Sequence, residues 1–187
     1  MSHPCFAIAR LHAVRLIALV ATLMAIPPLS AATGAGNVEV HIKAAYLFNF
    51  GRYVSWPQQT GDVVIGVVGH APIVEILEQT VAGKTINGRA YRVRVYSATE
   101  PIDHCDILFL SHGDIHQTAS ILTALAGKPV LTVSDTENFA GQGGMVEFLL
   151  VDDTLKFDIN LAAVEKCGLK ISSELLRVAH EIKGRRR

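Results

Sequence analysis

Three apolar runs, VVIGVVG (residues 63–69), DILFLS (106–111) and PVLTVS (129–134), limit the fold more than any other feature of this chain. A strand with one wet face alternates apolar and polar side chains, so a continuous apolar run of strand length needs cover on both faces. Helical patterns supply the cover. Residues 72–80 gather Ile73, Ile76 and Leu77 on one side, and residues 115–126 gather Ile115, Ala119, Leu122 and Leu125. Buried strands that alternate with amphipathic helices predict an α/β fold: one domain, with a mainly parallel sheet flanked by helices on both faces.

The flanking segments complete this plan. Val40, Ala44, Leu47 and Val54 recur at helical spacing, widened by Phe48 and Phe50, so residues 39–53 read as a helix that Trp56-Pro57 ends. YRVRVYS (91–97) alternates apolar and basic residues, as a strand near a sheet edge does. MVEFLLVD (145–152) and LKFDINL (155–161), joined at Asp153-Thr154, predict a C-terminal β-hairpin. The last element reads as a helix, capped by Ser172 or Ser173, with Leu175, Ala179 and Ile182 as its stripe and Lys183-Gly184 as its stop. Gly141-Gln142-Gly143-Gly144 precedes a strand, whereas a phosphate loop must follow a strand and open a helix. These glycines therefore read as a tight lead into the hairpin.

At the N-terminus, ARLHAVR carries Arg10 and Arg15 without an acid, and LIALVATLMAIPPL follows. This apolar run is about one export-signal core long and too short to cross a bilayer comfortably. Ser30-Ala31-Ala32 offers the small side chains that a signal peptidase reads, which divides the chain into a signal peptide, 1–32, and a soluble exported domain, 33–187. The signal holds two of the 17 basic residues and none of the 17 acidic ones, so the mature chain is faintly acidic. That balance argues against nucleic acid as a partner, because phosphate backbones demand a basic face. Lys183, Arg185, Arg186 and Arg187 crowd the C-terminus as a solvated tail; a weak electrostatic tether to anionic lipid or an acidic partner is the sharper reading, at about 1 kcal/mol per charge near a membrane surface.

In open α/β sheets ligands sit beyond the carboxyl ends of the strands. Three strands end there in Gly69-His70, Ser111-His112 and Ser134-Asp135. On paper His70, Ser111, His112, Ser134 and Asp135 form a ligand or partner edge. No G-x-S-x-G elbow surrounds either serine, so a hydrolase triad has nothing to expose its nucleophile, and strand-end capping accounts for the residues. His112 and His116 share a metal-ligand spacing, but they lie at a helix entrance and lack a third ligand, so no metal is expected. The expectation is of no catalytic residues and no cofactor.

Cys5 leaves with the signal, and Cys105 and Cys167 remain. An even pair in an oxidising compartment invites a disulfide, which would close a loop of about 60 residues for roughly 4 kcal/mol. Cys105 begins a buried strand and Cys167 ends a helix, so two buried free thiols are the other outcome.

Taken together, HIKAAYLFNFGRYVSWP (41–57), VVIGVVG, HCDILFLS (104–111), LTVSDTENFAGQGGMVEFLL (131–150) and KFDINLAAVEKCGLKISSELLRVA (156–179) resemble the YfiR family of small periplasmic proteins. The resemblance implies an α/β fold and a role without chemistry in the periplasm. Well-known members bind the periplasmic sensor domain of a membrane-bound diguanylate cyclase and repress it, which lowers cyclic-di-GMP and biofilm formation. It also implies an outer-membrane lipoprotein that sequesters the repressor. A homodimer is a separate option that the sequence leaves open. Some members carry additional disulfides; here only Cys105 falls at a family-like position, so redox control by those bridges is not expected. The competing class is a periplasmic small-molecule-binding module that uses the strand-end edge and feeds another membrane sensor. Tyr46, Phe48, Phe50 and Trp56 read as packing groups rather than as an interface.

Overall fold

The apolar stripe of residues 40–50 becomes the inner side of helix α1 (Ala32–Tyr53), where Ala44, Leu47 and Phe50 are fully buried. The computed structural model describes residues 32–58, 60–69, 72–97, 99–112 and 115–184, and Ala35–Arg187 makes one unit. After α1 come β1 (Val54–Ser55), β2 (Val63–Val68), α2 (Ile73–Val81), β3 (Thr85–Ile86), β4 (Arg89–Tyr96), β5 (Ile107–Leu110) and α3 (Ile115–Ala124). Then follow β6 (Leu131–Ser134), β7 (Val146–Val151), β8 (Thr154–Asn160), α4 (Leu161–Lys166), β9 (Lys170–Ile171), α5 (Ser173–Val178) and β10 (Glu181–Lys183).

Eight strands form one sheet in the order β10-β8-β7-β6-β5-β2-β4-β3. Strands β4, β2, β5, β6 and β7 run parallel to their neighbours. The hairpin β7–β8 and the short edge β3–β4 are antiparallel. The three apolar runs are β2, β5 and β6 at the sheet centre, and β5 and β6 are buried at every position. The α/β fold with a mainly parallel, helix-flanked sheet is the one the sequence predicts. One face packs Ile65, Val67, Phe109, Val133, Phe148 and Phe157 against α1, α2, α4 and α5. The other packs Val68, Tyr96, Leu108 and Leu110 against Ile121 of α3, Leu125 just beyond it, and Phe139.

Local chemistry explains the joints. Asp152 and Asp153 both take positive φ, as a two-residue type I′ turn requires, so the hairpin turns one residue earlier than the sequence reading placed it. Asn160 caps α4 by accepting the Ala163 N–H at 3.1 Å, and Ser172 caps α5 by accepting that of Leu175 at 3.3 Å. Gly143 has φ +101°, and a Cβ on Gly144 would overlap the Phe139 ring, so this glycine run shapes a turn rather than cradles an anion.

The C-terminus departs from expectation. Helix α5 stops at Val178, Ala179 is extended, and Glu181–Lys183 forms β10, parallel to β8. The Leu175–Ala179–Ile182 spacing suggested a longer helix, but β8 offers Ile182 a strand partner in Ile159. Residues 1–31 of the segment read as an export signal, Gln59, His70 and the residues beyond Gly184 lie outside the described residues.

Candidate functional site

Strand β2 has β4 on one side and β5 on the other, so the chain's direction of travel across the sheet reverses at the β2/β5 boundary. At such a switch point the carboxyl ends of the strands splay apart and leave a crevice. A cleft of about 110 Å³ lies there, lined by Val68, Gly69, Leu110, Ser111, His112, Gln117 and Thr118. It is smaller than the roughly 300 Å³ at which small-molecule pockets begin. Of the five edge residues read from the sequence, Ser111 and His112 line this cleft, His70 lies outside the described residues, and Ser134 and Asp135 are held elsewhere.

Ser134 is 0% exposed. Its hydroxyl donates to the Leu110 carbonyl at 2.7 Å and accepts the Thr136 N–H at 3.0 Å, with the Thr136 hydroxyl at 3.0 Å. It ties β6 to β5 and has no hydrogen left to give a base. Asp135 faces Lys43 of α1, with Nζ 2.6 Å from Oδ2, and Lys43 also meets Glu39 at 2.6 Å. Burial disfavours the ammonium, but the bonds to Asp135 and Glu39 outweigh it and hold Lys43 above its ordinary value. This buried pair pins α1 to the strand-end edge. Sequence reading missed Lys43 because its partner lies 92 residues away; the signal available was a lysine inside the apolar stripe of α1.

A second polar cluster is built on the hairpin. Glu147 of β7 and Asp158 of β8 stand directly opposite each other, both nearly inaccessible to solvent. Two adjacent carboxylates repel, so each needs compensation. Glu147 accepts the N–H groups of Asn138 at 2.8 Å and Ala140 at 3.0 Å. Asp158 is met by Lys183 Nζ at 3.1 Å and by His180 Nδ1 at 2.9 Å. Asn160 donates to the Ala140 carbonyl at 2.9 Å. Glu147, Asp158 and Asn160 together therefore fix the 136–144 loop and the C-terminal strand, and their role is structural.

The cysteines sit in different surroundings. Cys105 packs against the α3-side cluster and Cys167 against the α1-side cluster, and both are free. Burial pushes the Cys105 thiol up to about 12, and burial does the same to Tyr96, whose hydroxyl donates to the Asp103 carbonyl. A folded-state value above the unfolded one means stability that is intact below the unfolded value and lost as pH rises toward the folded value. Stability should therefore fall from about pH 9 toward pH 12, by about 1.4 kcal/mol for each unit of difference. Urea midpoints at pH 8 and pH 10.5 check this, and the loss should shrink in Cys105→Ala. An unchanged midpoint would refute it.

Among the described residues no group of three or more His, Cys, Asp or Glu side chains is placed to hold a metal ion. No helix among them is long and apolar enough to cross a membrane. Compared with known families, residues 40–180 match the model described as DUF4154, YfiR/HmsC-like.

Proposed function

Because the chain belongs to the YfiR/HmsC-like family, we propose that it is a periplasmic regulator that binds the sensor domain of an inner-membrane diguanylate cyclase and represses it. Cyclic-di-GMP signalling and biofilm formation would fall as a result. The observation that carries the reading is the state of the strand-end edge. Two of the edge side chains are engaged inside the fold, Ser134 with β5 and Asp135 with Lys43, while Ser111 and His112 line the cleft. With the edge aspartate committed to Lys43, no Ser-His-Asp arrangement is assembled there, which favours docking over bond making. Repression follows if the protein binds the inactive arrangement of the sensor better than the active one. An outer-membrane lipoprotein that competes for the same repressor would release the cyclase.

The outer side of α1 is the surface best suited to that contact. Val38 and Ile42 lie one helical turn apart and are 59% and 39% exposed, on the helix whose opposite side is core. Deleting the gene should raise cellular cyclic-di-GMP severalfold, and unchanged levels would refute the repressor reading. Ile42→Glu, which changes an exposed position, should reproduce the rise while leaving thermal melting unaltered. A second reading, a module for a small polar ligand, draws on the cleft beside Ser111 and His112. A ligand-induced melting shift abolished by His112→Ala would favour it.

A further inference from the structure

A second cavity lies away from the strand-end edge. It is a groove of about 380 Å³ between α3 and α4, closed at one end by the 142–145 turn. That volume is within the range of roughly 300–1,000 Å³ typical of small-molecule sites. Leu122 and Leu125 form one wall, Met145 the end, and Ala163 and Cys167 the other wall. Lys166, the last residue of α4, stands on the lip. Among the described residues no carboxylate lies within ion-pair distance of its ammonium, whereas the ammonium groups of Lys43 and Lys183 are both paired. An apolar trough with one exposed, unmatched cation at its mouth selects a ligand with an apolar body and an anionic head.

We propose that this groove binds a medium-length alkyl carboxylate, its chain along Leu122, Leu125 and Met145 and its carboxylate at Lys166. The site does not rest on the docking reading, since it lies on other elements than the strand-end edge and α1. Cys167 provides the reporter, because its thiol lines the groove, while Cys105, equally half-buried, lies away from it and serves as the control.

The test is maleimide labelling of the purified protein, followed by mass spectrometry, with octanoate as the probe and octylamine and octanol as comparators. Octanoate at about ten times its Kd should slow Cys167 labelling roughly tenfold, by simple occupancy. Cys105 labelling should be the same with and without octanoate. Lys166→Glu should abolish protection, read against that variant's own labelling rate without octanoate, since the charge change beside Cys167 alters the basal rate itself. Titration calorimetry with the same probes covers the case of an inert Cys167. Saturable, carboxylate-selective binding lost in Lys166→Glu supports the site. No saturable octanoate binding, equal protection by octylamine or octanol, or protection that grows with protein concentration alone (a second copy in the groove) would overturn it.

Discussion

Replacing Phe50 by alanine is expected to lower the unfolding free energy by about 3–5 kcal/mol, a large part of the stability of a domain this size. Phe50 is fully buried and sits among three other rings: Tyr46 at 6.2 Å, Phe148 at 6.1 Å and Phe157 at 5.6 Å between centroids. Two of these come from the hairpin and one from α1 itself, so the ring is where helix and sheet meet. The substitution loses the transfer energy of the ring, its edge-to-face contact with Phe157, and whatever volume the neighbours cannot refill. Close-packed strands on one side and a helix on the other leave little room to collapse. Urea denaturation should show the midpoint displaced with the slope preserved. By contrast Phe48, on the rim of the same helix, touches Tyr91 at 5.0 Å and is only half-buried, so Phe48→Ala should cost less. A loss below about 1 kcal/mol for Phe50→Ala would mean that α1 is not the keystone of the core.

Glu147→Ala is the second large effect, and its sign has to be decided between opposing terms. Removing Glu147 relieves its repulsion with Asp158 across the hairpin. It also strips the acceptor from the N–H groups of Asn138 and Ala140, the latter buried at 1% exposure. Lys183 already neutralises much of the repulsion, at 4.0 Å from Glu147 and 3.1 Å from Asp158. An orphaned buried N–H costs about 1–3 kcal/mol. The lost bonds therefore win, and the variant should be destabilised by about 2–4 kcal/mol, with the 136–144 loop newly open to limited proteolysis. Glu147→Gln retains one acceptor oxygen and should lose less. A Glu147→Ala protein as stable and protease-resistant as the parent would contradict the role assigned to this carboxylate.

How much of this was legible in the sequence depends on the range of the forces involved. The central strands were legible because burial on both faces leaves a continuous apolar run, and α1, α2 and α3 because their stripes recur at helical spacing. The pairs β1–β9 and β3–β4 engage two residues from each strand, too few to leave a periodicity. Strand β10 was misread because Ile182 continues a helical spacing that only the edge of β8 can overrule. Of the strand-end residues read from the sequence, Ser111 and His112 line the cleft at that edge. The inward commitment of Ser134 and Asp135 was not legible, since it depends on Leu110 and Lys43, brought near only by the finished fold. Glu147 and Asp158 did leave a trace, as single acids inside otherwise apolar strands, where a charge implies a buried partner.

Direct binding is the sharpest trial of the regulatory account. The purified protein, residues 33–187, should be titrated against the isolated periplasmic domain of a membrane-bound diguanylate cyclase from the same organism. The account predicts a saturable complex, weakened by Ile42→Glu and unaffected by Lys166→Glu, together with a fall in cyclase output when the full-length enzyme is reconstituted with the regulator. Absence of a complex, or a complex that leaves cyclic-di-GMP synthesis unchanged, would contradict it.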